Sequence, residues 1–482
     1  DDGWVVGEDA VRLSLQSSIP VWWDLKRRVG EGFRVLCDGR ARAAEDILVP
    51  LLGALREDAE VFLGRFVSSC VLAVPACFTL AQREVMARAA RDAGMREARI
   101  VNEPTAAALS FGREGRFLIL DFGAGTVDIS VVESEGGVWQ VLESVGSAGI
   151  GGYDFDLALA EWLRERLRLD PMPSEDPRWR MLVLEAETVK IALSSCQSYQ
   201  WTPPVLDGRD FPPLRVERED FERMARFSIR RVMHAVRRLW ERHEPERLLL
   251  VGGSSRIPLL RQILEDEIAR PERLSLCAEE SVAAGAALYA RMGEERLLLD
   301  VLSGDVGFLR DGEPKVLISS GTPLPFTACA HFVPERAGRT ELAVFQTAGD
   351  RDFAGARGGD QGERTILSIL ELDASAGEKI ALQCALSTSG LMRFSVAHGG
   401  ETTEMPLLAL KGRTDPAAPK PDFPVKGRMR EAVRRFASLE TSLSDEQKDR
   451  LYALTRNVGN IGDEEAAIEI LEKLARELEA AL

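Results

Sequence analysis

The chain has 482 residues, 45% hydrophobic and 29% charged, enough to bury the cores of roughly two to four domains. Its net charge of −16 argues against a general nucleic-acid binder, which needs clustered Lys and Arg. No apolar run is of membrane-spanning length: the longest apolar-rich patch, 67–81, is broken by Ser68, Ser69, Pro75 and Thr79. The seven cysteines (37, 70, 77, 196, 277, 329, 384) include no C-x-x-C pair and point to a reducing compartment. The four histidines make no metal-ligand spacing, and His234 and His243 are expected on exposed sides of helices. There is no signal-like segment, and the sequence opens DDGWVV without a Met.

In chain order, residues 24–30 (DLKRRVG) read as a basic turn of helix or loop, and 32–37 as a short strand. The spacing of Ile47, Leu48, Leu51, Leu52, Leu55, Val61 and Phe62 predicts an amphipathic helix over 44–63, bent by Pro50 and Gly53. A strand over 70–74 ends at Pro75, and Thr79 is the expected N-cap of a helix over 80–93 closed by Gly94. A strand over 98–101 leads into VNEPTAAALSFG, where Glu103 stands just before Pro104. A carboxylate held there by a proline turn can face a cleft, although an E-P pair is also an ordinary helix start.

The stretch 117–133, FLILDFGAGTVDISVVE, organises the chain. Phe117, Leu118, Ile119 and Leu120 deliver Asp121 to the end of a buried strand, and Gly123 and Gly125 let the backbone reverse before 127–132 return. Backbone N–H groups at such a tip can converge on a phosphate while the carboxylate holds Mg²⁺ through its water shell. An Asp- and Gly-containing turn of an ordinary hairpin is the other reading. Gly149, Gly151 and Gly152 (GIGGYDFD) form a second cluster opening a helix over 155–169, whose positive end can meet an anion. A helix over 185–195 puts Glu187, Lys190 and Ser194 on one face, which also reads as a solvated i,i+3 ion pair. Residues 248–258 (LLLVGGSSRIP) give a strand, glycines and a capped helix, with Arg256 able to stack on a planar ring.

The order of DLKRRVG, VPACFTLAQREVMARAARDAGM, VNEPTAAALSFG, LDFGAGTVDIS, GIGGYDFD, EAETVKIALSS, LVGGSSRIPLL and SVAAGAAL resembles the nucleotide-binding domain of the DnaK-type heat-shock-70 chaperones, up to about residue 295. VNEPTAAAL and LVGGSSRIP are the most specific segments, and LLLDVLSGDVG at 297–307 is similar to the family's interdomain linker and first substrate-domain strand.

The resemblance implies an α/β actin-like domain over 1–295, two lobes closing on ATP or ADP and Mg²⁺, then a linker at 296–302. A β-sandwich substrate-binding domain (303–410), a Pro-rich linker (411–426) and a short α-helical lid (427–482) would follow. By motif match, Lys26 would reach the γ-phosphate and the attacking water, and Glu103 would help order that water. Asp121 would act through Mg²⁺-bound water, with Asp128 a second candidate for the metal network. Gly123, Ala124, Gly125 and Thr126 would cradle phosphate, with Gly151 and Gly152 beside them. Glu187, Lys190, Ser194, Gly252, Gly253, Ser254 and Arg256 would enclose the adenosine, and Glu279 would approach the same pocket. The implied partners are an extended or unfolded polypeptide client, a J-domain co-chaperone and a nucleotide exchange factor, in the cytoplasm, with no nucleic acid and no membrane.

The sequence departs from the family pattern in three places. The family's opening hairpin with D-L-G-T-T has no counterpart, so the expected reading is an N-terminally incomplete chain or one that has lost hydrolysis. The stretch 30–43 is shorter than in the family, and Ala124 replaces the middle glycine of the hairpin. In the C-terminal third, alternation over 341–346, 365–372, 379–386 and 391–397 predicts the sandwich. The resemblance implies that this domain binds an extended peptide, and matching the family's register would put Phe308, Phe332 and Leu342 at its pocket for one large side chain, and Asp311 and Glu335 where the family keeps apolar residues arched over the peptide. Beyond it, Pro416, Pro419, Pro421 and Pro424 mark the linker, and Ile468, Leu471, Leu474 and Leu478 form one apolar helix face.

The expected activity is that of an ATP-dependent chaperone, hydrolysis changing client affinity through the linker. A non-hydrolysing, nucleotide-gated scaffold is the first alternative. An actin-like filament protein or a sugar kinase on the same fold is the second.

Overall fold

A computed structural model describes residues 4–405 apart from 17–20, 31–33, 38–39, 207, 273–276, 293–296, 311–312, 335–336, 348–363 and 389. The linker and lid expected at 411–482, and Asp311 and Glu335, lie outside the described residues.

The first lobe contains α1 (Glu8–Gln16), α2 (Leu25–Arg28), the hairpin β1 (Arg34–Cys37) and β2 (Arg40–Ala43), α3 (Ala44–Leu63), β3 (Ser69–Val74), α4 (Leu80–Asp92), β4 (Glu97–Asn102) and α5 (Glu103–Phe111). β3 and β4 pair in parallel. Thr79 caps α4 as the sequence predicts. Its Oγ1 accepts from the Gln82 amide at 3.3 Å, and the Gln82 side chain accepts from the Thr79 amide at 2.8 Å. Helix α3 continues through Pro50 and Gly53, both buried against the lobe.

The second lobe is built on the meander β5 (Gly115–Phe122), β6 (Val127–Glu135) and β7 (Val138–Ser147). After it come α6 (Gly152–Arg166), α7 (Pro177–Ser195), β8 (Ser198–Trp201), β9 (Leu214–Glu217), α8 (Arg218–His243), β10 (Arg247–Val251), α9 (Pro258–Glu267), α10 (Ser281–Arg291) and β11 (Leu297–Leu299). The sheet order is β10-β5-β6-β7-β11, with β10 parallel to β5 and β11 parallel to β7.

The continuous apolar run at 117–120 follows from burial of both sheet faces. Leu118 and Leu120 pack with α6, α7, α8 and α9, while Phe117 and Ile119 pack with α5 and α10 on the opposite face. Helix α6 begins three residues earlier than expected because the Asp154 carboxylate accepts the Gly151 amide at 2.7 Å, making the glycine turn itself the helix start. Its early end coincides with Arg168, at φ 53.

Helices α5 and α10 approach through alanines and one glycine. A Cβ on Gly285 would overlap the Ala106 carbonyl. Gly285→Ala should therefore cost about 2–3 kcal/mol of unfolding free energy, read as a lower denaturant midpoint, with an unchanged midpoint contradicting that packing.

Two four-stranded antiparallel sheets complete the described chain. Their strands are β12 (Val306–Arg310), β13 (Glu313–Ile318), β14 (Phe326–Phe332), β15 (Gly338–Thr347), β16 (Arg364–Ala374), β17 (Ile380–Leu386), β18 (Met392–His398) and β19 (Glu401–Met405). The orders are β13-β12-β15-β16 and β14-β17-β18-β19, and both sheets bury one shared core. Phe308, Phe332 and Leu342, expected at a peptide pocket, are 4%, 6% and 0% exposed inside that core. They pack the two sheets together, and the strand register turns them inward.

Helix α4 joins this unit to the first lobe. Leu80 and Ala81 belong to the sheets' core, the Leu80 amide donates to Gln346 Oε1 at 2.8 Å, and the Met392 amide donates to Glu84 at 3.3 Å. Just after β11, Asp300 is buried: it accepts from Asn102 Nδ2 at 2.5 Å and from the Val301 amide at 2.8 Å, and the Arg83 guanidinium donates to Asn102 Oδ1.

Six described cysteines are free. His234 is exposed as expected, but His243, the last residue of α8, is half-buried with its Nε2 2.7 Å from Glu143 of β7. Among the described residues no helix is long and apolar enough to cross a membrane.

Candidate functional site

The β5–β6 register places Asp121 opposite Asp128, with the tip 123–126 between the strands. Every carbonyl of that tip is engaged. Gly123 O accepts from the Gly152 amide (3.0 Å) and Ser254 Oγ (2.9 Å), and Ala124 O from the Tyr153 amide (2.9 Å). Gly125 O accepts from Arg27 Nε (2.6 Å), and Thr126 O from the Gly123 amide (3.0 Å). In a trans peptide the N–H lies opposite the preceding C=O. The amides of Ala124, Gly125 and Thr126 are thereby turned away from these donors, and all three residues line a cavity of about 700 Å³.

That close fit requires glycine. A Cβ on Gly151 would overlap the Ala124 carbonyl, and Gly252, at φ +78, would meet the Phe122 carbonyl and Asp121.

Lys26, Glu103, Asp121, Gly252 and Glu279 line the same cavity. Lys26, in α2, places its ammonium 2.5 Å from Glu103, the first residue of α5. Burial pulls the Lys26 pKa down, but Glu103, Asp128 and Asp121 more than compensate, and the net shift is upward. Desolvation, with Glu103 and Asp128 nearby, pushes Asp121 well above the carboxylate range. Desolvation also lifts Asp128 to about 7, helped by Glu103 and opposed by the Cys77 amide that donates to its Oδ1 at 2.9 Å. The Cys77 thiol is raised well above its usual value by burial and by Asp128.

Three carboxylates facing one ammonium are short of positive charge. Asp128 is fully buried, and its Oδ2 has no hydrogen-bond partner. Among the described residues no cluster of three His, Cys, Asp or Glu side chains is placed to ligate a metal directly; Asp121 lines the cavity and would meet a hydrated divalent cation through its water shell, with Asp128 buried behind it.

A pH dependence follows. With its folded pKa raised, Asp128 contributes stability that is fully present below about pH 4 and is lost as pH rises towards 7, on the order of 4 kcal/mol across the window. A cation reverses that penalty by favouring the ionised form. Added Mg²⁺ should accordingly raise the melting temperature more at pH 8 than at pH 6, by differential scanning calorimetry, and an equal effect at both would contradict this reading.

The expected adenosine residues divide. Gly252 and Glu279 line the cavity, and Ser254 is committed to Gly123 O. Arg256 is not among the residues lining this cavity, and it pairs with Glu279 at 2.7 Å. Lys190 crosses to Asp156 at 2.7 Å and to Gly152 O at 3.2 Å, leaving Glu187 exposed instead of paired with it. The Ser194 hydroxyl donates back to Lys190 O at 3.3 Å within α7. Asp156 is raised to about 6 by burial, against the pull of Lys190.

Sequence reading missed Arg27, Asp154 and Asp156, which brace the tip and the second glycine turn. Their only signals were the second basic residue of DLKRRVG and the two acids of GGYDFD.

Comparison with known proteins gives the family. The Hsp70 protein family model matches residues 17–404. The chaperone protein DnaK of Mycoplasma mobile is 33% identical over 376 residues, covering 73% of this chain and 62% of that protein. An HscA homolog of Cupriavidus taiwanensis is 29% identical over 463 residues, 90% of this chain and 72% of the relative. DnaK of Thermus thermophilus is 33% identical over 346 residues, 67% and 56% respectively. The chain thus spans 62% of the length of the Mycoplasma DnaK it matches. With a site assembled in this way and a family match over most of its length, the chain belongs to the Hsp70 family.

Proposed function

We propose that this chain binds ATP or ADP with Mg²⁺ in the cavity at the β5–β6 tip and acts as the nucleotide-gated part of an ATP-dependent chaperone. The observation that carries the reading is the convergence of Lys26, Glu103, Asp121 and Asp128, from separate elements, on a tip whose carbonyls are all bonded on the far side. The Ala124, Gly125 and Thr126 amides would receive phosphate oxygens. Lys26 would neutralise developing charge on the terminal phosphate, and Glu103 would hold that ammonium and orient the attacking water. Bound Mg²⁺ would supply charge neutralisation between the phosphates. Gly252, Gly253 and Glu279 would face the nucleoside, with Arg256 held over it by its pair with Glu279.

The domain division follows from the same reading: an actin-like nucleotide domain to about residue 295, a linker at 296–302, and a β-sandwich over 303–410 that takes an extended polypeptide client. A helical lid at 427–482, a J-domain partner and an exchange factor belong to the same proposal. β11 lying along β7, with Asp300 fastened to Asn102, supports the linker as the coupling element.

The test is release of a fluorescent apolar peptide from the full chain. ATP should accelerate release relative to ADP, and a release rate indifferent to nucleotide would leave the coupling without support.

A further inference from the structure

We propose that Arg27 is the clasp of this cleft: it holds the segment carrying Lys26 against the β5–β6 tip and fixes the Thr126 amide in its phosphate-receiving orientation. The inference rests on the nucleotide reading above and adds the residue that governs how fast nucleotide leaves.

The three basic residues of α2 have different fates. The Lys26 and Arg28 side chains are 44% and 45% exposed, whereas that of Arg27 is 13% exposed. Its Nε donates to Gly125 O at 2.6 Å, and its terminal nitrogens grip both oxygens of Asp154 at 3.0 and 2.6 Å. Only a planar guanidinium offers three donors in that fork, so lysine cannot replace it.

Each contact has a consequence for the tip. Gly125 C=O belongs to the same peptide unit as the Thr126 N–H, so pulling the carbonyl towards Arg27 aims that amide the opposite way. Asp154 in turn accepts the Gly151 amide at 2.7 Å, and the next two amides, of Gly152 and Tyr153, donate to the Gly123 and Ala124 carbonyls. One guanidinium thus joins α2, the hairpin tip and the second glycine turn. Separating the lobes here breaks all three of its hydrogen bonds at once. Arg27 does not line the cavity itself, so it acts as a positioning residue.

Stopped-flow release of a fluorescent ADP analogue, measured on the full chain, tests the clasp. Arg27→Lys and Asp154→Asn should each speed release roughly tenfold, and the double variant should release little faster than either, because the two side chains act as one unit. Without nucleotide, hydrogen exchange at the Gly152 and Tyr153 amides should quicken in both variants. Wild-type release with unaltered exchange overturns the clasp, and so do strictly additive effects. Should the analogue fail to bind the unaltered chain, the nucleotide reading falls. The exchange arm then decides the clasp alone, faster exchange supporting it and unaltered exchange overturning it.

Discussion

Lys26→Ala is expected to lower ATP turnover by about a hundredfold or more while nucleotide affinity stays within about tenfold. Lys26 is the one cationic side chain lining the 700 Å³ cavity among the described residues, and its ammonium sits 2.5 Å from Glu103. Ground-state binding would draw on the tip amides and the nucleoside contacts, which the substitution leaves in place. The lost interaction is the one that strengthens as charge develops on the terminal phosphate, so the effect falls on kcat rather than KM. Single-turnover hydrolysis separates the two, and a rate close to that of the unaltered chain would remove Lys26 from its assigned role.

Asp300→Ala should release the linker strand. Asp300 is 4% exposed, and its carboxylate satisfies Asn102 while facing the buried guanidinium of Arg83. Burial already lowers the Arg83 pKa, and Asp300 is the largest opposing influence. Removing the carboxylate strands a cation and an amide in the interior, a loss of about 3 kcal/mol for the docked arrangement, or more than a hundredfold in its population. Exchange at amides 297–301 and cleavage there by a protease should both accelerate, and ATP should lose its effect on client release. Unaltered protection in the variant would mean that β11 is held by its pairing with β7 alone.

Much of the frame was legible in the sequence because local chemistry and tertiary demand agree there. Thr79 caps α4, Gly94 follows its end, and the run at 117–120 is apolar throughout because helices cover both faces of β5. The α6 start was misjudged because Asp154, three residues past Gly151, accepts the Gly151 amide and makes that turn the cap. The same carboxylate hid the clasp, since nothing in the sequence says that Arg27, and not Arg28, turns inward across 127 residues to meet it. Lys190 was expected beside Glu187 from helical spacing, yet Asp156 lies deeper and offers a charge partner screened from water. Phe308, Phe332 and Leu342 illustrate the limit of alternation: it identifies the inward face of a strand without saying whether a ligand or another sheet covers it.

Titration calorimetry of the full chain with ATP, with and without Mg²⁺ and with Asp121→Asn alongside, tests the central claim most directly. The account predicts uptake of a single nucleotide that tightens with Mg²⁺ and loses that tightening in the variant. No heat of nucleotide binding, or binding indifferent to both Mg²⁺ and Asp121, would contradict it.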